Sequence, residues 1–214
     1  MVRIPLILRI KRKKHRELAG LQDILIENIY EILPETVLHG GTAIWRCYSG
    51  NRFSEDIDVY LERDVKKIED FFKKLKKLGF EIVKKRIKEN SLFSVLRFNN
   101  TEIRFEAVFK KINGIIKEYE TCNESLVNIY TLLPEDLIKE KVAAYTSRRK
   151  IRDLYDIFFL LRYVKEVERV KPELKKLIQK FENPADEKDL KTLILTGITP
   201  TKNDILNYID RWIR

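Results

Sequence analysis

The 214-residue sequence predicts an α+β fold: an α/β N-terminal part followed by an all-helical C-terminal region. Three observations carry this. Residues 56–62 alternate, with Ile57, Val59 and Leu61 on one face and Asp56, Asp58 and Tyr60 on the other, the period of a strand. Three more strand-like segments follow near 81–88, 92–98 and 102–109. From Pro134 onward the apolar residues recur only at helical spacing.

Taken in order, residues 14–32 read as a helix through Leu18, Leu21, Leu25, Ile29 and Ile32, and Pro34 ends it. Thr36 to His39 reads as a short strand running into Gly40-Gly41, and Thr42 to Tyr48 as a short helix. Asp64 is an N-cap for a helix over 65–78 that Gly79 closes. Asn99-Asn100 suits a hairpin turn. A further short strand fits 126–131. Helices are expected over 134–148, 151–164, 171–181, 186–195 and 202–213, with Leu154, Ile157, Phe158 and Leu161 in the core. The join lies within 113–133, giving domains of 1–130 and 131–214.

Composition narrows the function classes. No apolar run approaches the ~20 residues that span a bilayer. Met1 to Arg16 places an apolar stretch, Ile4 to Leu8, before the basic run Lys11-Arg12-Lys13-Lys14, the wrong order for a secretory signal. Cys47 and Cys122 offer neither a disulfide framework nor zinc spacing and read as buried thiols, so a cytoplasmic protein is expected. The net charge of +10 suits a polyanionic partner, NTP or RNA, although Lys–Glu surface pairs would give similar composition.

The chemistry concentrates in residues 38–61, LHGGTAIWRCYSGNRFSEDIDVYL. Two glycines after a strand let backbone approach a ligand closely, and a helix starting at Thr42 aims its amides at phosphate, with the Thr42 hydroxyl as one more donor. Asp56 and Asp58 share one face of their strand. Two carboxylates so close repel unless a cation joins them, and hard ions such as Mg²⁺ (or Mn²⁺) take oxygen ligands. A third carboxylate is expected on the strand Thr101 to Ala107; Glu106, deeper in the strand than Glu102, is the choice, against an Arg104–Glu106 surface pair on an edge strand. Lys141 and Arg148 lie seven residues apart on one helical stripe, roughly 10 Å along the axis, placed to hold successive phosphates. Arg152 and Asp156, one turn apart, also suit an ordinary helical ion pair. His39, Trp45 and Tyr48 read as packed residues.

These segments together resemble the AbiEii/AbiGii-type toxin nucleotidyltransferases of the DNA polymerase β-like superfamily. The match is Gly-Gly-Thr, then Arg-x-Ser-x-Asp-x-Asp at Arg52, Ser54, Asp56 and Asp58, then Lys141, Arg148, Arg152, Asp153 and Asp156 in Lys-x6-Arg leading into Arg-Asp-x-x-Asp. It covers roughly residues 20–165, and Thr42 stands where the wider superfamily often has Ser. The resemblance implies a polymerase β-like mixed sheet with flanking helices in 1–130 and a helical domain in 131–214 that lends Lys and Arg to the site. It implies transfer of a nucleoside monophosphate from an NTP, with Asp56 and Asp58 catalytic and metal-binding; Glu106 joins them in both roles on its strand position rather than on the motif. Gly40, Gly41, Thr42, Arg52, Ser54, Lys141, Arg148, Arg152 and Asp156 would bind the nucleotide. It also implies an acceptor such as the tRNA 3′ end and a separately encoded antitoxin. A protein acceptor, a non-catalytic basic RNA-binding relative, and a metal-dependent glycosyltransferase using Asp-x-Asp are the rival readings.

Overall fold

The computed structural model describes residues 5–214, so the apolar stretch Ile4 to Leu8 lies partly outside the described residues. A four-residue helix, α1 (Leu6–Arg9), precedes the long helix α2 (Lys13–Ile32). On α2, Leu18, Leu21, Leu25, Ile26 and Ile29 form the buried stripe that the helical spacing predicts. Each such side chain contributes on the order of 1.5–3 kcal/mol by leaving water.

The strands are β1 (Val37–His39), β2 (Ile57–Leu61), β3 (Glu81–Ile87), β4 (Ser91–Phe98), β5 (Thr101–Phe109), β6 (Ile115–Glu120) and β7 (Leu126–Thr131). They form one mixed sheet in the order β3-β4-β5-β2-β1-β7-β6. Strands β2 and β5 run parallel, as do β1 and β7, and the other neighbours are antiparallel. Thus β5 is interior rather than an edge. The Asn99-Asn100 hairpin joins β4 to β5, and Asn99 takes the left-handed φ of +51° that Asn tolerates.

Helix α3 (Gly40–Cys47) starts two residues earlier than the sequence suggests, so both glycines belong to its first turn. Helix α4 (Val65–Lys77) is capped by the Asp64 side chain, which accepts from the Lys67 amide at 3.0 Å. Ile68, Phe71, Phe72 and Leu75 make its buried face, with Phe71 against Phe105 at a 5.3 Å ring separation. The basic run at Lys73, Lys76 and Lys77 is its solvated face.

The helical part comprises α5 (Pro134–Arg148), α6 (Ile151–Leu160), α7 (Val167–Gln179), the short α8 (Leu190–Leu193) and α9 (Lys202–Ile213). Three expectations need correction. Helix α7 begins at Val167, not 171, and tolerates Pro172 because that side faces solvent, where water can satisfy the freed carbonyl. The helix expected over 186–195 reduces to a 3₁₀ turn and α8. Phe158 is only half-buried, beside Tyr208, while Phe159 lies in the core.

The described residues divide into two compact units. The first comprises those up to Ser49 together with Phe53–Leu132; the second comprises Gly50–Arg52 with Leu133–Arg214. No helix among the described residues is long and apolar enough to cross a membrane.

Candidate active site

Local alternation puts Asp58 on one face of β2 and Glu106 on one face of β5, and the parallel register makes them direct partners. Adjacent strands lie about 4.8 Å apart, so two carboxylates stand side by side. The Glu106 pKa is raised, first by burial and then by the negative charges of Asp58 and Asp56, against a smaller opposing pull from Arg104. Asp56, just before β2, is held by Arg104 through two hydrogen bonds of 2.8 Å, Nε to Oδ1 and Nη2 to Oδ2. Arg104 therefore pairs with Asp56, not with Glu106.

Gly40 has φ +71°, and a Cβ there would sit 2.5 Å from Asp58 Oδ2. The glycine is what lets the turn close over this carboxylate. The Thr42 hydroxyl, fully buried, donates to the Asp56 carbonyl instead of standing ready for a ligand. It fixes the start of the Asp-x-Asp strand. Ser54 is buried, and its carbonyl accepts from Gln22 Nε2 at 2.8 Å. His39 stacks on Tyr60 at 4.1 Å, and Trp45 and Tyr48 are buried.

The donors near Asp58 are hard carboxylate oxygens, a set that suits Mg²⁺ or Mn²⁺. Among the described residues no three His, Cys, Asp or Glu side chains already form a metal cage. In this arrangement the Arg104 guanidinium occupies both oxygens of Asp56. The fit to a divalent ion thus rests on donor chemistry, on the register of Asp58 with Glu106, and on the space Gly40 leaves.

The second unit gathers the remaining motif residues. Arg52 donates from Nε and Nη2 to the two oxygens of Asp156, each at 2.8 Å. Lys141 Nζ lies 2.9 Å from Asp156 and 3.6 Å from Asp153. Arg148 makes two 2.8 Å bonds to Asp153. Both aspartates are buried, yet burial is outweighed at Asp156 by Arg52 and Lys141, which hold its carboxyl below the ordinary value. Lys141 and Arg148 are therefore not bare phosphate ligands but members of a charge cluster. Of these cations Arg148 is the accessible one, its side chain 46% exposed. The helical pair expected between Arg152 and Asp156 is replaced by these contacts. Arg149 and Lys150 pair with Glu182 and Asp186, so the basic run Arg148–Lys150 is balanced by acids.

Sequence reasoning missed two arginines. Arg104 figures there only as the partner of Glu106 in a surface pair. Arg46, on α3, is fully buried, donating to the Glu120 carbonyl at 2.9 Å and the Ala19 carbonyl at 2.8 Å, and lies over Trp45. It ties α3, which begins at the glycine pair, to α2 and β6. Both cysteines are buried thiols, with burial pushing Cys47 up to about 12 and Cys122 to about 11.

Residues 28–201 match the family model described as nucleotidyl transferase AbiEii toxin of a type IV toxin–antitoxin system. The chain belongs to this family. It is thus an AbiEii-family nucleotidyltransferase, an enzyme of NTP-dependent nucleotidyl transfer, and the glycosyltransferase reading falls. No curated protein matches the sequence. Among solved structures, MenT4, a nucleotidyltransferase toxin of Mycobacterium tuberculosis, is similar at 15% identity and a TM-score of 0.66, over 94% of this chain and 82% of that one. JHP933 from Helicobacter pylori is similar at 17% identity and 0.66, over 94% and 93%. A nucleotidyltransferase from H. pylori gives 18% and 0.65, over 95% and 96%. At these identities the likeness shows the fold, a mixed sheet with flanking helices followed by C-terminal helices.

Proposed function

We propose that this AbiEii-family enzyme moves a nucleoside monophosphate from an NTP to an RNA acceptor, a tRNA 3′ end, as the toxin of a pair with a separately encoded antitoxin. The observation that carries the site assignment is the register of Asp58 with Glu106, which brings a third carboxylate to the Asp-x-Asp pair. Asp56, Asp58 and Glu106 would hold Mg²⁺ or Mn²⁺, which when bound screens phosphate charge and favours the attacking and leaving oxygens.

The chain's own groups do the rest. The first-turn amides of Gly40, Gly41 and Thr42 face the triphosphate, and Thr42 holds the Asp56 backbone in place. Glu106, its pKa raised first by burial and then by Asp58 and Asp56, takes the proton of the acceptor hydroxyl. The acceptor oxygen then bonds to the α-phosphorus, and the bond to the β-phosphate oxygen breaks, releasing pyrophosphate. Lys141 and Arg148 supply positive charge for phosphates, while Arg52 and Asp156 fix Lys141.

The RNA assignment is supported by the +10 charge and by the basic runs Lys11–Lys14 and Lys84–Lys88. The test is incubation with each labelled NTP, Mg²⁺, and total RNA or total protein. Label on tRNA that disappears in Asp58→Ala is expected. Label only on protein would overturn the RNA acceptor and leave protein nucleotidylation.

A further inference from the structure

A cleft of about 400 Å³ opens beside Asp56 in the first unit, walled in part by Arg12, Lys14, His15 and Arg104. Its volume is that of a small-ligand pocket. Two of the three carboxylates on its walls have cationic partners: Glu102 accepts from Arg97 Nε at 3.0 Å, and Asp56 is clasped by Arg104. The third, Glu55, lies 3.9 Å from His15 Nε2 and is more than half exposed to solvent. By contrast, no described carboxylate pairs with Arg12 or Lys14. Both line the cleft, and both press the His15 pKa down, after burial and against Glu55. These cations also stand at the N-terminal end of α2, whose first turn holds no acid. Positive side chains there oppose the helix dipole, a small cost that a bound anion would offset. None of Gly40, Gly41 or Thr42 lines the cleft, so it is not the triphosphate turn.

We infer that this cleft is the subsite for the acceptor's phosphates, and that Arg104 is the positioning residue that exchanges Asp56 for an acceptor phosphate when the divalent cation arrives. The inference rests on the proposed RNA acceptor. A guanidinium that chelates both oxygens of Asp56 competes with a cation for the same carboxylate. Once displaced, Arg104 is a bidentate phosphate ligand on the cleft wall, beside Arg12 and Lys14. Cation and acceptor therefore bind cooperatively, each favouring the state in which Arg104 has left Asp56.

The test needs no turnover. Mn²⁺ is titrated calorimetrically into wild type, Arg104→Ala and Arg104→Lys without NTP. Binding of a labelled single-stranded RNA is followed by anisotropy with and without Mn²⁺. Arg104→Ala is expected to bind Mn²⁺ about twofold to fivefold tighter, the scale of releasing a partly exposed ion pair, and to lose the Mn²⁺-induced gain in RNA affinity. Arg104→Lys should retain part of that gain. Arg12→Ala with Lys14→Ala should weaken RNA binding at every Mn²⁺ concentration and lower the salt slope by about 1.4. Unchanged Mn²⁺ affinity in Arg104→Ala, or an unchanged RNA slope in the double variant, overturns the inference. Labelled-NTP transfer reads the proposed function separately. Transfer to RNA with no Arg104 effect sinks only the exchange, and label only on protein sinks the acceptor reading.

Discussion

Asp58 and Glu106 are register partners on adjacent parallel strands, so two carboxylates share one side of the sheet, with Asp58 directly beneath the Gly40 turn. Replacing Glu106 with Gln keeps the shape and removes the charge. Nucleotidyl transfer should fall roughly 10²-fold or more, the scale of a missing general base. The metal-free protein should melt at a higher temperature, because repulsion from Asp58 and Asp56 is relieved. A loss below tenfold would remove Glu106 from the chemistry.

Gly40→Ala should damage both backbone and site. The left-handed φ costs a non-glycine residue about 1–3 kcal/mol, and the new Cβ would meet Asp58 Oδ2 at 2.5 Å. Lower stability in chemical denaturation, with weaker Mn²⁺ binding by calorimetry, is expected. Normal Mn²⁺ affinity would show that the turn does not shape the Asp58 position.

The buried hydroxyl of Thr42 predicts a divergence between two small substitutions. Thr42→Ser keeps the donor to the Asp56 carbonyl and should transfer at a near-normal rate. Thr42→Val leaves that acceptor unsatisfied, costing about 1–3 kcal/mol, and should slow turnover by shifting Asp56. Equal behaviour of the two variants in melts and in transfer assays would contradict this.

Asp156 predicts a pH dependence. Its carboxyl is held below the ordinary value, so its contribution to stability is complete above the unfolded pKa of about 4 and is lost as pH falls through the lower folded value. Asp156→Asn leaves Arg52 and Lys141 buried with less compensation, costing about 3–5 kcal/mol at neutral pH. Its acid-unfolding curve, followed by circular dichroism, should be flatter than wild type below pH ~4.

Lys141→Met keeps the aliphatic stem and deletes the ammonium. The rise in melting temperature on adding NTP should shrink to less than about half. A lower melting temperature with a full NTP-induced rise would mean that Lys141 serves only to balance Asp156 and Asp153.

Much of this was legible in local pattern. Alternation placed Asp56 with Asp58, and Glu102 with Arg104 and Glu106; the helical stripe on α5 ended at Arg148 as expected. What local pattern does not encode is which strands become neighbours. The Asp58–Glu106 register, the Arg104–Asp56 clasp and the Arg52–Asp156 pair, 104 residues apart, are long-range. Strand β6 escaped notice because Lys117, Glu118 and Glu120 interrupt its apolar alternation, which an edge strand permits. Lys141 and Arg148 looked like open phosphate ligands because spacing reports a shared stripe but not the acids that meet it.

The second unit is built from two stretches of chain, and the shorter, Gly50–Arg52, is inserted between residues of the first. No single cut in the gene can therefore separate the two units cleanly. A fragment ending at Leu132 carries an Arg52 without its acid, and one beginning at Leu133 carries an Asp156 short of its strongest cation. During synthesis, Arg52 leaves the ribosome long before Asp156 does. The stretch Gly50–Arg52 therefore gains its anchor only when Asp156 is made, so the second unit cannot assemble from the first half of the chain alone.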